Sequence, residues 1–168
     1  MATVPSPHQF AVGEAVTSTN INTYYSSLQF LLNPPIARLA KSANQTVAAG
    51  SFVPITFDVS SIDSYNGHSS GSTKYFAQVQ GWYMVAANLQ WPNSNVGIRD
   101  ALIAKNGSSI PESNGTTSNP SNLTPGNPSA TILVQLNVND FIECWGFQNT
   151  GGNVSLGLGA ISIIWMHV

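Results

Sequence analysis

The sequence predicts a mainly β protein, a two-sheet sandwich that follows a short arm and one α-helix. In residues 81–91, apolar side chains alternate with mixed ones, as in a strand with one buried face. The buried face would hold Tyr83, Val85, Ala87, Leu89 and Trp91. Beyond residue 36 the apolar runs are short, and turn signals recur about every 8 to 12 residues, which is typical of sandwiches. No second helical pattern follows the first.

The composition excludes several classes of protein. Charged residues make up only 7% of the 168 residues, against roughly a quarter in an ordinary soluble domain. The net charge is −2 and the five basic residues are scattered, which argues against nucleic-acid binding because phosphate contacts need clustered Lys and Arg. Cys144 is the single cysteine, so an intrachain disulfide is impossible, and its place in a predicted strand indicates a small buried side chain.

Neither a secretory signal nor a membrane span is predicted. Residues 1–10 contain two prolines and no apolar run after a positive start. No stretch approaches the roughly 18 uninterrupted apolar residues of a transmembrane helix. We therefore expect a protein that is made in the cytoplasm and is not inserted into a membrane.

Residues 1–35 are predicted to form an arm and a helix that anchor the protein or join its copies. Residues 1–16, with Pro5, Pro7 and Gly13, suggest an extended arm that docks on something else. Residues 17–20 offer helix N-caps, and Asn33-Pro34-Pro35 ends the helix. The helix carries apolar residues at spacings of four, three and four: Ile21, Tyr25, Leu28 and Leu32. This stripe is either the seam of a threefold bundle, which we favour, or a docking face.

Residues 36–168 are predicted to form the β-domain. Asn106-Gly107 is the strongest hairpin signal, and 137–140 is a turn. Residues 60–73 are predicted to be a polar loop, and 108–128 a long variable loop of unassigned function. The expected strands are 36–41 with 45–47 as one interrupted strand, 52–59, 74–80 leading into 81–91, 97–105, 132–136, 141–148, 154–158 and 160–168.

The strand at 141–148 is apolar on both faces. Ile142 and Cys144 fall on one face, whereas Phe141, Trp145 and Phe147 fall on the other. A sandwich needs one inner face per strand. Aromatic side chains left on an outer face are most simply buried by another copy of the chain.

No catalytic, cofactor or metal site is predicted. The three histidines lie in an arm, a loop and the chain end, without the spacing of convergent ligands. The acids form no evident pair for glycoside hydrolysis, and the Gly-x-Ser-x-Gly elbow is missing. Tyr65 and His68 mark a possible ligand loop. Tyr65 and Trp82 could stack on sugars, whereas Trp91 continues the apolar core face.

Residues 36–168 resemble the jelly-roll domain of the tumour necrosis factor and complement globular-head superfamily. The resemblance rests on Phe76-x4-Gly81-x-Tyr83-x-Val85-x-Ala87-x-Leu89, Lys105-Asn106-Gly107 and Leu136-x3-Asp140-x-Ile142-x-Cys144, followed by a closing strand. It implies a TNF-like jelly roll and a compact homotrimer with Phe141, Trp145 and Phe147 near the threefold axis. Some relatives bind calcium through loop carboxylates, but Asp58 and Asp63 are too isolated for that.

The N-terminal part is similar to minor virion proteins of tailed bacteriophages, especially those of actinobacterial hosts. The matching residues are Phe10-x2-Gly13-Glu14-x-Val16-Thr17, Asn22 and Leu28-x-Phe30-Leu31-Leu32-Asn33-Pro34-Pro35. This similarity implies a non-enzymatic, homotrimeric structural protein on the particle surface, either a minor tail protein or a capsid-decorating head fibre. It would be synthesised in the host cytoplasm, and its arm would bind other capsid or tail proteins.

Two other functions remain open at this stage. One is an adhesin that binds a host-surface glycan through residues 60–73 and 108–128 during adsorption. The other is a cell-wall hydrolase on the particle, which is the weaker alternative because no catalytic constellation supports it.

Overall fold

The computed structural model describes residues 4–118 and 126–168. Helix α1 spans Ser18–Leu32, and a 3-10 turn spans Pro111–Ser113. The strands are β1 (Ile36–Lys41), β2 (Gln45–Val47), β3 (Val53–Pro54), β4 (Val59–Asp63), β5 (Lys74–Phe76), β6 (Gly81–Gln90), β7 (Ile98–Lys105), β8 (Ser108–Ser109), β9 (Gly115–Ser118), β10 (Ser129–Leu136), β11 (Phe141–Gln148), β12 (Val154–Leu156) and β13 (Leu158–His167).

Two antiparallel sheets enclose the core. The first has five strands in the order β10-β6-β13-β1-β4. The second has the order β3-β11-β7-β8, with β5 also paired to β11 and β9 to β7, and the short β2 pairs with β12. The apolar face predicted for β6 is buried, since Tyr83, Val85, Ala87 and Leu89 are at most 4% exposed. The predicted sandwich is therefore confirmed, and β6 lies between β10 and β13.

Both predicted turns are confirmed. Asn106 and Gly107 have φ angles of 53° and 75°, the left-handed values of a two-residue hairpin turn, and join β7 to β8. Asn139, with a φ of 71°, lies in the turn before β11. Asp140 connects the two turns, because its carboxylate accepts hydrogen bonds from Asn106 Nδ2 (2.8 Å) and Lys105 Nζ (3.0 Å).

Several predicted boundaries are wrong. Residues 52–59 do not form one strand, since only Val53–Pro54 pairs with β11, and 45–47 belongs to a separate two-stranded sheet. The predicted loop 60–73 contains most of β4, an exposed edge strand whose pairing with β1 is bulged. Backbone pairing with a neighbour, rather than alternating side chains, makes β4 a strand, so its polar composition hides it.

The predicted loop 108–128 is also more ordered than its composition suggests. Within it lie β8, the 3-10 turn and β9, which together cover the outer edge of β7. The buried Ser113 fills the gap between the two strands, because its hydroxyl accepts a hydrogen bond from Ile103 N at 2.8 Å. Residues 119–125 of the predicted loop lie outside the described ranges.

Candidate interaction surfaces

Helix α1 touches the β-domain through one side and exposes the other. Its N-cap is Thr17, whose Oγ1 accepts a hydrogen bond from Asn20 N at 3.2 Å. Phe30 is the buried residue of the helix, and its ring packs edge-on against Trp165 at 4.9 Å and Tyr65 at 6.5 Å between centroids. All four residues of the predicted stripe are exposed, by 51% to 79%: Ile21, Tyr25, Leu28 and Leu32. We call these four residues the helix seam.

The arm folds back on α1 instead of extending away. The Glu14 carboxylate accepts hydrogen bonds from His8 Nε2 (2.6 Å), Ala11 N (2.8 Å) and Asn20 Nδ2 (3.1 Å). The backbone hydrogen bond from Ala11 is the main cause that lowers the pKa of Glu14. The ring of Phe10 stacks on Tyr24 at 5.9 Å between centroids. The predicted extended arm is therefore wrong for the segment from His8 to Glu14.

The outward face of the five-stranded sheet is apolar at one end and is partly exposed in the described part of the chain. Strand register places Leu133, Met84, Ile164 and Ile36 side by side across four strands. Leu133 is 59% exposed and Met84 is 36% exposed. Among the described strands, the register places a single charged residue, Arg38, on this outward face. We call this outward side of the five-stranded sheet the five-strand face.

The outward face of the second sheet, which we call the aromatic face, holds the predicted residues Phe141, Trp145 and Phe147. Other side chains of the same chain partly cover these residues. Phe141 packs against Phe76 at 5.6 Å, and Phe147 packs against Phe52 at 5.2 Å between ring centroids. Phe141, Trp145 and Phe147 are consequently half-buried. Sequence reasoning missed Phe52 and Phe76 because only the register of β5 and of the segment before β3 brings them beside β11.

Polar groups are held within the same aromatic face. Lys74 Nζ lies 4.1 Å from the centroid of the Phe141 ring, a cation–π contact. Glu143 is 4% exposed and accepts hydrogen bonds from Thr73 Oγ1 (2.6 Å) and Trp145 Nε1 (3.1 Å). Both carboxylate oxygens of Glu143 therefore have a partner in the chain, and the side chain holds the Trp145 indole in place.

The predicted ligand loop is held by internal contacts. The two ring nitrogens of His68 lie 2.9 Å from the carbonyl oxygens of Lys74 and Phe57, so neither points to solvent. Asp63 accepts hydrogen bonds from Gly67 N and His68 N, which fixes the loop backbone. Tyr65 is half-buried against Phe30, and burial raises the pKa of its phenol. His68 thus joins loop segments, whereas Tyr65 borders the helix.

The described residues contain no cluster of three or more His, Cys, Asp or Glu side chains that could hold a metal ion. Cys144 is fully buried, and desolvation raises its pKa to about 12, which disfavours the reactive thiolate. Within the described ranges, no helix combines the length and apolar character needed to cross a membrane.

Two neighbouring depressions lie between the arm and α1. One has a volume of about 350 Å³ and extends from Pro5 along the helix to Phe30, Asn33 and Tyr65. The other has a volume of about 390 Å³ and extends from Pro5 and Ser6 to the first turns of the helix. Pro5 and Ser26 border both depressions, so the two form one groove, which we call the arm–helix groove.

No protein-family model and no curated protein sequence matches the chain. Solved structures do match it. The globular domain of zebrafish complement 1qA aligns with a TM-score of 0.61 and 13% identity, over 79% of this chain and 98% of that one. The PRD1 vertex protein P5 aligns with a TM-score of 0.61 and 16% identity, over 79% and 97%. Murine APRIL aligns with a TM-score of 0.59 and 8% identity, over 79% and 98%.

These likenesses confirm the predicted fold class. The chain is a mainly β jelly roll of the tumour necrosis factor and complement type, with one α-helix in the described residues. At such low identity, the likeness establishes the fold alone. A vertex protein and the globular domain of a complement protein share this fold, so function has to be argued from the surfaces of this chain.

Proposed function

We propose that the chain is a non-enzymatic, homotrimeric structural protein of a tailed-phage virion, a minor tail protein or a capsid-decorating head fibre. Residues 1–35 would anchor it to other capsid or tail proteins, and residues 36–168 would project from the particle surface. The observation that carries the proposal is a pair of uncovered apolar surfaces, the helix seam and the five-strand face, on a fold shared with a vertex protein.

The amount of exposed apolar surface supports self-association. Large exposed apolar patches on a folded domain mark interaction sites. The helix seam follows the four-three-four spacing of a coiled-coil stripe, and a helix of fifteen residues is marginal in water unless it packs on something. The only buried contact of α1 is Phe30, on the opposite side from the seam. Copies of the chain would bury the seam without disturbing Phe30.

The two sheets offer competing places for the trimer contact. The sequence favoured Phe141, Trp145 and Phe147, which stay a candidate. The exposed side chains favour the five-strand face, because Leu133 is 59% exposed there while Phe141 and Phe147 already pack on Phe76 and Phe52. We therefore propose that the five-strand face, together with the helix seam, forms the larger part of the interface.

Light scattering on purified variants tests both the trimer and its location. The wild-type chain should have a mass of about 53 kDa, three times the 17.8 kDa of one copy. Leu133→Asp buries three unpaired carboxylates in the proposed interface and should give a folded monomer. The matched control is Phe76→Asp on the aromatic face, where Phe76 is 39% exposed, and it should remain a trimer. If Phe76→Asp is a monomer and Leu133→Asp is a trimer, the interface lies on the second sheet instead.

The virion role needs a separate test on particles. Phage particles produced from a genome that encodes the chain would be purified on a density gradient and analysed by mass spectrometry. We expect the chain in the particle fraction, and we expect its loss when Leu28→Asp disrupts the helix seam. Particles that never contain the chain would overturn the virion proposal while leaving the trimer intact.

A further inference from the structure

We propose that the arm–helix groove is a binding site for a neutral saccharide. This site does not depend on the virion role. Apart from Tyr65 at its border, it lies outside residues 60–73 and 108–128, the loops of the alternative glycan-binding function. The proposal rests on the shape of the groove, the free polar groups along it, its aromatic border and its lack of charge.

The groove has the size of a small-ligand site. Its two parts, of about 350 and 390 Å³, each lie within the range of about 300 to 1,000 Å³ that is common for ligand pockets. The arm forms one wall through Pro5 and Ser6, and α1 forms the other. Because Pro5 and Ser26 border both parts, a ligand of two sugar units could occupy them together.

The helix presents uncharged hydrogen-bonding groups along this groove. Asn22, Ser26, Gln29 and Asn33 follow one another at spacings of four, three and four, so they lie on one side of α1. All four are exposed, and none of their side chains forms a hydrogen bond with another described residue. Amide and hydroxyl groups of this kind can donate to and accept from sugar hydroxyls.

This polar side is distinct from the other two sides of the helix. At about 100° per residue, Asn22 and Ser26 lie roughly 120° to 160° from Leu28 in the helix seam. Phe30 lies between them and the β-domain. Burial of the helix seam in a trimer would therefore leave Asn22 and Ser26 exposed, whereas Tyr25, which belongs to the seam and also borders the groove, would lie where the groove meets the interface.

Aromatic rings border the same depression as the polar groups. Tyr65 is half-buried with its ring against Phe30, and it borders the groove independently of the helix seam, whereas Tyr25 borders the groove from the seam itself. Aromatic rings next to hydrogen-bonding side chains suit a sugar, because its C–H face can pack on a ring while its hydroxyls meet polar groups. The groove combines both features within one helix and one loop.

The absence of charge selects a neutral ligand. No Asp, Glu, Lys or Arg lines either part of the groove in the described ranges. Glu14 is the only residue of those four types in positions 1–37, and its carboxylate is already bonded to His8, Ala11 and Asn20. A phosphate or an acidic sugar would lose hydration without gaining an ion pair. A neutral saccharide carries no charge to desolvate, and its hydroxyls can exchange water for the amide and hydroxyl groups of the helix.

An NMR titration of the full chain tests the site. Maltose, lactose and N,N′-diacetylchitobiose are added separately up to about 50 mM, which saturates a site with a dissociation constant near 1 mM. N-acetylneuraminic acid is the charged comparison. We expect at least one neutral disaccharide to shift the amide signals of Asn22, Ser26, Gln29 and Tyr65. We expect the charged sugar to bind at least tenfold more weakly.

Two variants and one matched control locate the effect. Asn22→Ala with Gln29→Ala, and separately Tyr65→Ala, should weaken binding at least tenfold. The double variant keeps a folded helix because alanine favours helix and both positions are exposed. Asn153→Ala removes an exposed amide outside the groove and should bind like the wild type. The proposal fails if no neutral disaccharide shifts these signals, if the shifts lie elsewhere, or if the groove variants bind unchanged.

Discussion

The ring of Phe30 meets the indole of Trp165 edge-on, with 4.9 Å between the ring centroids and 86° between the planes. This contact joins α1 to the last strand of the five-stranded sheet, and Phe30 is 7% exposed. Trp165 is itself fixed, since its Nε1 donates a hydrogen bond to Gln80 O at 3.1 Å. Phe30 is therefore the buried side chain through which α1 contacts the β-domain.

Phe30→Ala should release the helix from the β-domain. Truncation of a buried phenylalanine costs about 3 kcal/mol, since it removes apolar burial and leaves a cavity. The free energy of unfolding should fall by about that amount in denaturant titrations, and amide exchange should accelerate in residues 18–32. Gln29→Ala, one residue earlier and exposed, is the control and should change neither quantity. Unchanged exchange in the helix of Phe30→Ala would show that other contacts hold it.

Gly115→Ala should strongly destabilise the protein. A Cβ atom at Gly115 would overlap the backbone carbonyl of Ser129, where β9 passes close to β10. The carbonyl cannot rotate away as a flexible side chain could, so the strands must separate, at a cost of about 2 kcal/mol or more. Gly152→Ala is the matched control, because no atom lies within 4 Å of its added Cβ. Thermal unfolding of the two variants compares them directly, and equal midpoints would contradict the close approach.

Ser113→Ala should destabilise the protein by removing a hydrogen bond at the edge of β7. The Ser113 hydroxyl accepts a hydrogen bond from Ile103 N at 2.8 Å and lies 2.7 Å from Ile110 O, to which it can donate. Loss of the hydroxyl leaves the Ile103 N–H buried without a partner, which costs about 1 to 3 kcal/mol. Amide exchange at Ile103 should rise, and the denaturation midpoint should fall. Ser109→Ala, at an exposed position of β8, should behave like the wild type.

The sequence predicted the elements in which apolar residues recur at a regular spacing. It missed the strands that form only because a neighbouring strand pairs with their backbone. β6 and the helix seam were visible because alternate or four-three-four spacing marks a face. β4 and β9 were not, since they are polar segments that are strands only because β1 and β7 pair with them. Phe30 was recognised as part of a motif, but nothing in its spacing showed that it, rather than the seam, packs on the β-domain.

The candidate surfaces followed the same rule. The seam residues are exposed, which fits a stripe that needs a partner, and their role as an interface stays a prediction. Phe52 and Phe76 pack on the aromatic face because of the strand register, and that register cannot be read from the sequence. The arm–helix groove was missed because the arm was expected to extend, whereas the hydrogen bonds to Glu14 fold it back.

Asp58 should give the protein part of its stability above acidic pH. Hydrogen bonds from the Ser42 hydroxyl, Ser42 N and Ala43 N lower the pKa of Asp58 to about 2, below the usual value of 3.8. A lowered pKa in the folded state means that the unfolded chain binds more protons between these two values. The stabilisation is therefore complete above about pH 4 and is lost as the pH falls towards 2. In Asp58→Asn, the free energy of unfolding should fall less between about pH 4 and pH 2 than in the wild type. An equal fall in both proteins would show that other acidic groups cause it.

Lys41 should oppose folding at neutral pH. Lys41 is 3% exposed, and among the described residues its Nζ donates hydrogen bonds to Thr56 Oγ1 at 3.1 Å and Thr56 O at 3.5 Å. Desolvation lowers the pKa of Lys41, and the charge of Asp58 offsets part of this effect. Since the unfolded chain then binds more protons between the lowered and the usual pKa, this group makes the folded state more stable as the pH rises through that interval.

Lys41→Met should therefore stabilise the protein at neutral pH, by about 1 kcal/mol, because it replaces a buried charge with an apolar chain of similar length. The Thr56 hydroxyl keeps its hydrogen bond to Gln45 Oε1, so the substitution does not leave that group unpaired. Denaturant titrations of wild type and variant across neutral to alkaline pH measure the difference, which should shrink as Lys41 of the wild type loses its proton. A variant that is less stable at neutral pH would show that the bonds to Thr56 outweigh the cost of desolvation.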